Sequence, residues 1–406
     1  MVHAEESTNR YRWMILVVLW LTSVMGFLNR LSVGPLAPFF KNDLGITSTR
    51  VGLIISASSI GYMLSLFPIG WVVDRVGAGW PMVTGILIAG VCMIALSFVP
   101  SYGWLLALMF ATGLGCGFLF PSTTQSVMAW FPQRERATVM GFKQTSVNIA
   151  GIVTAATLPA IALALGWRYC FLFLGITALA VGVTTLILYR EPPIASWSTG
   201  NPSPAETAMS LLEILKIREI WLVGFCGLCL TWVQMALVAH LVLYLTEELL
   251  FGVVAAGGSL AMAQAAGAIG KPGSGLLSDR IFRGSRKQVL MLMAGTTSFM
   301  CLMVGLFGSY LSWALYPVLF ILGMGGLGFG GLYLTLMAEF GGRRGAGRAV
   351  ALGGVITLVG VAAGPVFFGY IVDSSGSYKS AWISLVVMGA LSVLLLLFVR
   401  ESRREI

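Results

Sequence analysis

A chain of 406 residues that is 57% hydrophobic and only 10% charged lies far outside the soluble range, in which about a quarter of residues carry charge. This composition excludes an ordinary soluble enzyme or nucleic-acid-binding domain, and the net charge of +9 needs another origin. A helix needs ~20 apolar residues to cross the hydrocarbon, so the length suits a polytopic helical membrane protein with little left for a soluble domain.

In chain order, apolar spans fall at 12–36, 51–72, 81–99, 104–131, 138–164, 167–189, 219–245, 253–277, 288–308, 312–338, 348–372 and 380–399. They predict an all-α membrane protein of twelve transmembrane helices. The opening dozen residues, MVHAEESTNRYR, are polar, and the apolar run after them exceeds the 7–15 residues of a signal-peptide core, so the first span reads as a retained helix. Glycine and β-branched residues are frequent in the spans; bilayer helices tolerate them because no water competes for the backbone. A transmembrane barrel would instead alternate polar and apolar residues over about 10-residue strands.

Lys and Arg near membrane ends mark the cytoplasmic side. With both termini inside, eighteen of them fall on inner segments, Arg75, Arg136, Arg280 and Arg286 among these, against four outside: Lys41, Arg50, Arg168 and Lys379. This asymmetry accounts for the basic balance without nucleic acid and implies a multi-pass protein of the inner membrane. The remaining cations, Arg30, Lys143 and Lys271, fall inside predicted helices.

The chain also repeats itself. GWVVDRVG at residues 70–77 recurs as GLLSDR at 275–280, and ERATVMG at 135–141 is echoed by GRAVALG at 347–353. Two halves of one six-helix plan follow: a bundle over 1–189, a Pro/Ser-rich cytoplasmic linker over 190–218 and a second bundle over 219–406. Parallel halves of this kind place a solute site near the bilayer midplane.

The Gly-x-x-x-Asp-Arg-x-Gly loop, its weaker second copy and the twelve-span plan resemble the major facilitator superfamily, and the resemblance covers nearly the whole chain. It implies the major facilitator fold, alternating access, and an inner gate in which Gly70, Asp74, Arg75, Gly77, Gly275, Asp279 and Arg280 take part through conformation-dependent ion pairs. Loop orientation and helix capping are the alternative roles for these residues. Within the superfamily, FLNRLSVGPLAP at 27–38 and GYMLSLFPIGWVVDRVG at 61–77 are similar to the anion:cation symporters. That likeness implies substrate contact by Arg30 and Tyr62. Asn29 and Cys116 stand where those symporters carry a protonatable Asp and commonly a Glu, so their coupling mechanism does not simply transfer. KPGSG at 271–275 resembles the Arg-Pro-x-x-Gly of monocarboxylate and oxalate-type porters, which implies a carboxylate contact for Lys271; Gly267 stands where some of those relatives place an Asp. GFKQTSVNIAG, holding Lys143, Gln144 and Asn148, resembles the fifth helix of some small-anion porters.

Burying a charge in a membrane helix costs about 2.5–3.5 kcal/mol on insertion scales, so such residues usually face a cavity and serve function. Asp74, Asp279, Glu339, Asp373, Glu247 and Glu248 all fall at span ends or in loops, so the predicted interior field is positive. An anionic solute would supply the counter-charge. Snorkelling to the headgroups is the alternative for Lys143 and Lys271, and a purely structural role the alternative for Arg30. Asn29, Tyr62, Gln144, Asn148 and Tyr333 are further candidates for solute contact, beside an equal case for interhelical hydrogen bonding. His240, the only histidine in a predicted span, is a candidate proton carrier or a hydrogen-bonded structural group, and Lys271 is a second coupling candidate.

The expected function is secondary active transport of a small organic anion, a mono- or dicarboxylate, by H⁺ symport, with exchange, uniport, inorganic-anion transport and drug/proton export as alternatives. Drug export would call for a basic residue in span four, where Met109 stands. An enzyme is not expected, because the spans hold no triad, paired acids or nucleotide-phosphate loop, and a receptor would need a signalling domain that tails and linker are too short to form. No cofactor, metal or disulfide is expected; the C-x-x-C of Cys226 and Cys229 reads as packing. The partners expected are the anionic solute, a coupling proton and the lipid bilayer, with no nucleic acid, around a monomer.

Overall fold

The computed structural model describes residues 2–191, 209–282 and 284–400, and among these it is helical throughout, without a strand. Backbone polar groups in hydrocarbon must be paired internally, which leaves a chain this apolar the helix as its spanning element. In order the helices are α1 (Val2–Leu31), α2 (Val33–Leu44), α3 (Ser48–Val76), α4 (Gly79–Leu96), α5 (Tyr102–Trp130), α6 (Gln133–Leu165) and α7 (Trp167–Leu188). There follow α8 (Leu211–Leu215), α9 (Arg218–Glu247), α10 (Val253–Arg280), α11 (Arg286–Leu311), α12 (Leu315–Gly326), α13 (Gly330–Ser375) and α14 (Tyr378–Leu397). Among the described residues twelve segments are long and apolar enough to cross a membrane, as the sequence predicts.

Three boundaries differ from the sequence reading. The first span runs on to Leu44 and is broken at Ser32, where α1 stops and α2 starts. Pro35 lacks the N–H that the Leu31 carbonyl would need, and its ring crowds that carbonyl, which favours a break at this point. The eleventh span starts at Arg344 rather than 348, because α13 carries two spans across Gly342, whose φ of 59° and ψ of −174° turn the chain between them. The expected linker lies partly outside the described residues, at 192–208; its end forms α8, where Ser210 and Glu213 make a reciprocal capping box.

The helices gather into two compact units, Met1–Gly45 with Ala57–Ser203, and Ile46–Ser56 with Pro204–Ile406. In the first unit, glycines bring backbones together: a methyl on Gly113 of α5 would sit 2.0 Å from the Ser58 carbonyl oxygen of α3, and one on Gly61 2.2 Å from that of Phe110. Small residues at such crossings are how membrane helices gain packing where lipid offers no hydrophobic drive. The same device joins α10 and α12 in the second unit, where a methyl on Gly323 would lie 2.3 Å from the Ala263 carbonyl oxygen. Gly267 is filled in the same way, with Leu327 Cβ 2.5 Å from any added methyl, so the Asp of the resembled porters has no room here. The N-terminal end of α3 belongs to the second unit: Asp373 of α13 accepts from Ser48 N at 2.9 Å, Thr49 N at 2.7 Å and Thr49 Oγ1 at 2.5 Å.

Candidate functional site

The break at Ser32 places Arg30 in the last turn of α1, where a cation complements the carbonyl end of the helix. Its guanidinium lies over the Tyr62 ring of α3, 4.1 Å from the centroid. Lys143 of α6 is 2% exposed, donates from Nζ to Thr124 Oγ1 of α5 at 2.8 Å and lies 4.9 Å from the Phe120 ring centroid. It therefore turns inward onto α5 rather than snorkelling to the headgroups. Among the described residues neither Arg30 nor Lys143 is paired with a carboxylate.

Both cations line one cavity inside the first unit, enclosing about 330 Å³ of unfilled space, part of it open to solvent. Tyr62 and Gln144 line it too, so four of the sequence-derived candidates converge. Among the described residues no Asp or Glu is in its wall. The sequence reading overlooked Ser23, Gly26 and Phe27 from α1, and Leu119, Phe120 and Thr123 from α5, which complete the lining. A signal was present: 23, 26, 27 and 30 on α1, and 116, 119, 120 and 123 on α5, are each spaced as one helical face.

Cys116 lines the cavity and its thiol donates to the Gly26 carbonyl at 3.5 Å, while Leu119 of the same helix packs where a methyl on Gly26 would go, its Cδ1 2.7 Å away. Asn29 does not line it and is 1% exposed. Asn148 is half-buried farther along α6, outside the lining.

The other candidates lie in the second unit. Lys271 is half-buried on α10, before Pro272, and its carbonyl accepts from Ser274 Oγ at 2.9 Å. Tyr333 is packed in the apolar core with Phe329, Met337 and Cys226, and its hydroxyl has no partner among the described residues. His240 is 1% exposed, stacks on Phe368 at 5.0 Å and donates from Nε2 to the Pro365 carbonyl at 2.8 Å.

In the repeated loops, Gly77 adopts φ 88°, a left-handed conformation that favours glycine, while Gly70 and Gly275 have open space where a methyl would go. Arg75 lies over the Trp71 ring at 3.7 Å. Asp279 pairs with Arg286 at 2.5 Å, and Arg286 also reaches Glu339 at 3.5 Å. Arg280 is exposed, as is Asp74.

The chain is similar to the probable sulfoacetate transporter SauU of Cupriavidus necator, with 28% identity over 94% of this chain and 93% of that protein. It is also similar to the hexuronate transporter of Bacillus subtilis, at 25% identity over 94% of this chain and 93% of that one. The fold matches a crystal structure of a bacterial homologue of the human lysosomal transporter Spinster with a TM-score of 0.83 and 18% identity, covering 97% of this chain and 99% of that one. Residues 19–357 match the model of the Major Facilitator Superfamily, and the chain belongs to that family of membrane transporters.

Proposed function

We propose that the protein carries a small organic anion across the membrane by alternating access, with Arg30 and Lys143 as its cationic contacts and Tyr62 and Gln144 beside them. The observation that carries this reading is the acid-free cavity with two cations in its wall. The names of the relatives, which specify a sulfonated acid and a sugar acid, support the same class of solute. Lys271 is the second unit's candidate contact, and the repeated loops with Asp74, Arg75, Asp279 and Arg280 are the candidate inner gate.

Proton symport is the proposed coupling, with exchange and uniport as the other modes. The position of His240, sealed on a backbone carbonyl and an aromatic face, favours its structural role over proton carriage. The protein is proposed to be a monomer of the inner membrane with both termini cytoplasmic.

A thermal-shift series on the purified protein tests the reading, since a ligand that binds only the folded state raises its apparent stability. Small carboxylates or sulfonates should raise the melting temperature and neutral amides of the same size should not. If amides act equally, or no anion acts, the anion reading fails. In proteoliposomes, acidifying the outside should accelerate uptake; indifference to pH would leave exchange or uniport.

A further inference from the structure

Resting on that reading, we infer that the solute is a dianion, a dicarboxylate or a sulfonated carboxylate, with one anionic group at Arg30 and the other at Lys143. The two cations share one cavity, yet each is held by its own wall. Arg30 lies over the Tyr62 ring of α3, among the described residues it is paired with no carboxylate, and its guanidinium carries five N–H donors. Lys143 rests on Thr124 and Phe120 of α5. One ammonium hydrogen goes to Thr124, and an ammonium carries three. Both cations thus keep donors for an acceptor that the protein does not provide.

Charge balance gives the number of acceptors. Asn29 and Cys116, at the positions where the resembled symporters carry acids, are neutral, and no carboxylate lines the cavity. A monoanion would cancel one of the two positive charges and leave the other desolvated beside it. A two-headed anion cancels both, and each head meets a separate set of donors. Gln144 adds a neutral amide donor to the same wall, suited to a further oxygen of either head.

Equilibrium binding to the purified full-length protein tests this with matched pairs at one ionic strength: malonate against acetate, sulfoacetate against methanesulfonate, and malonamide as the neutral control. Each dianion should bind about tenfold or more tightly than its monoanionic partner, a difference of about 1.4 kcal/mol. In Lys143→Gln the ratio should fall towards one. Equal affinity of dianion and monoanion for the wild-type protein overturns the two-headed assignment while the anion reading stands. Malonamide binding as well as malonate overturns both. An undiminished ratio in Lys143→Gln overturns the assignment of the second head to Lys143. Should that variant fail to fold, the wild-type pairs decide the dianion question on their own.

Discussion

The contact between Arg30 and Tyr62 ties a charge to a ring in the cavity wall, and an arginine–aromatic contact of this kind is worth about 0.5–2 kcal/mol, the more as it is desolvated. Arg30→Lys keeps the charge but loses the planar fork and the stack, so solute affinity should fall roughly tenfold as read by binding titration. Tyr62→Phe keeps the ring and should fall much less than Tyr62→Leu; equal losses would show that the hydroxyl, not the ring, matters. Charge and polarity inside an apolar span, and the likeness of the surrounding motifs to known porters, marked Arg30, Lys143, Tyr62 and Gln144 in the sequence, and the four share one cavity wall. The direction in which Tyr333 faces was not legible: in a membrane helix the lipid-facing and core-facing sides are both apolar, so composition does not report the rotation that turned this ring into the core. The same ambiguity hid Phe27, Leu119 and Phe120, apolar residues whose cavity-facing position follows only once Arg30 and Cys116 fix the faces of α1 and α5.

At the scale of elements, the twelve spans were legible because the bilayer demands long uninterrupted apolar helices, and few residues were left over to misassign. Their interruptions were harder to see: the break at Ser32 and the turn at Gly342 come from Pro35 and from a glycine conformation, in stretches too apolar for polarity to mark the spot. Glycines likewise gave no sign of their partners. Gly113 on α5 leaves no space between its backbone and that of α3, and both helices contribute to the cavity wall. Gly113→Ala must therefore push the backbones apart, since backbone atoms cannot rotate aside; overpacking of this kind costs about 1–3 kcal/mol or more. The expected outcome is a lower melting temperature together with weaker solute binding, whereas Gly258→Ala, where a methyl meets open space, should change neither through steric strain. At the other end of α3, Asp373 satisfies two orphan N–H groups of the first turn and adds an anion to the positive end of the helix. Asp373→Ala should cost about 0.5–2 kcal/mol of stability, as loss of an N-cap does. Asp373→Asn, which keeps an acceptor without the charge, should recover part of it.

For the whole molecule, the distribution of cations is both a topological signal and a structural one. Several basic residues assigned to the inner side hold helix ends as well as charge: Arg136 donates to the carbonyls of Phe131 at 2.9 Å and Met128 at 2.7 Å, and Lys287 Nζ donates to that of Val399 at 2.7 Å. Helix C-termini leave carbonyls without intrahelical partners, and cations are the side chains that satisfy them. These contacts are the same in either orientation of the whole protein, so the charge asymmetry alone supports the proposed one, with α8 and both termini on the cytoplasmic side. Lys216, at the end of α8, and Lys379, at the start of α14, are both exposed and fall on opposite sides in that proposed topology. A membrane-impermeant maleimide should label Lys379→Cys in intact cells and label Lys216→Cys only after the membrane is opened. The wild-type protein serves as the background control, because five of its six cysteines are buried and Cys92 is partly so. The reverse pattern would invert the orientation and with it the side on which the repeated Asp-Arg loops act; labelling of both variants from outside would place the two positions on one face and break the twelve-span topology.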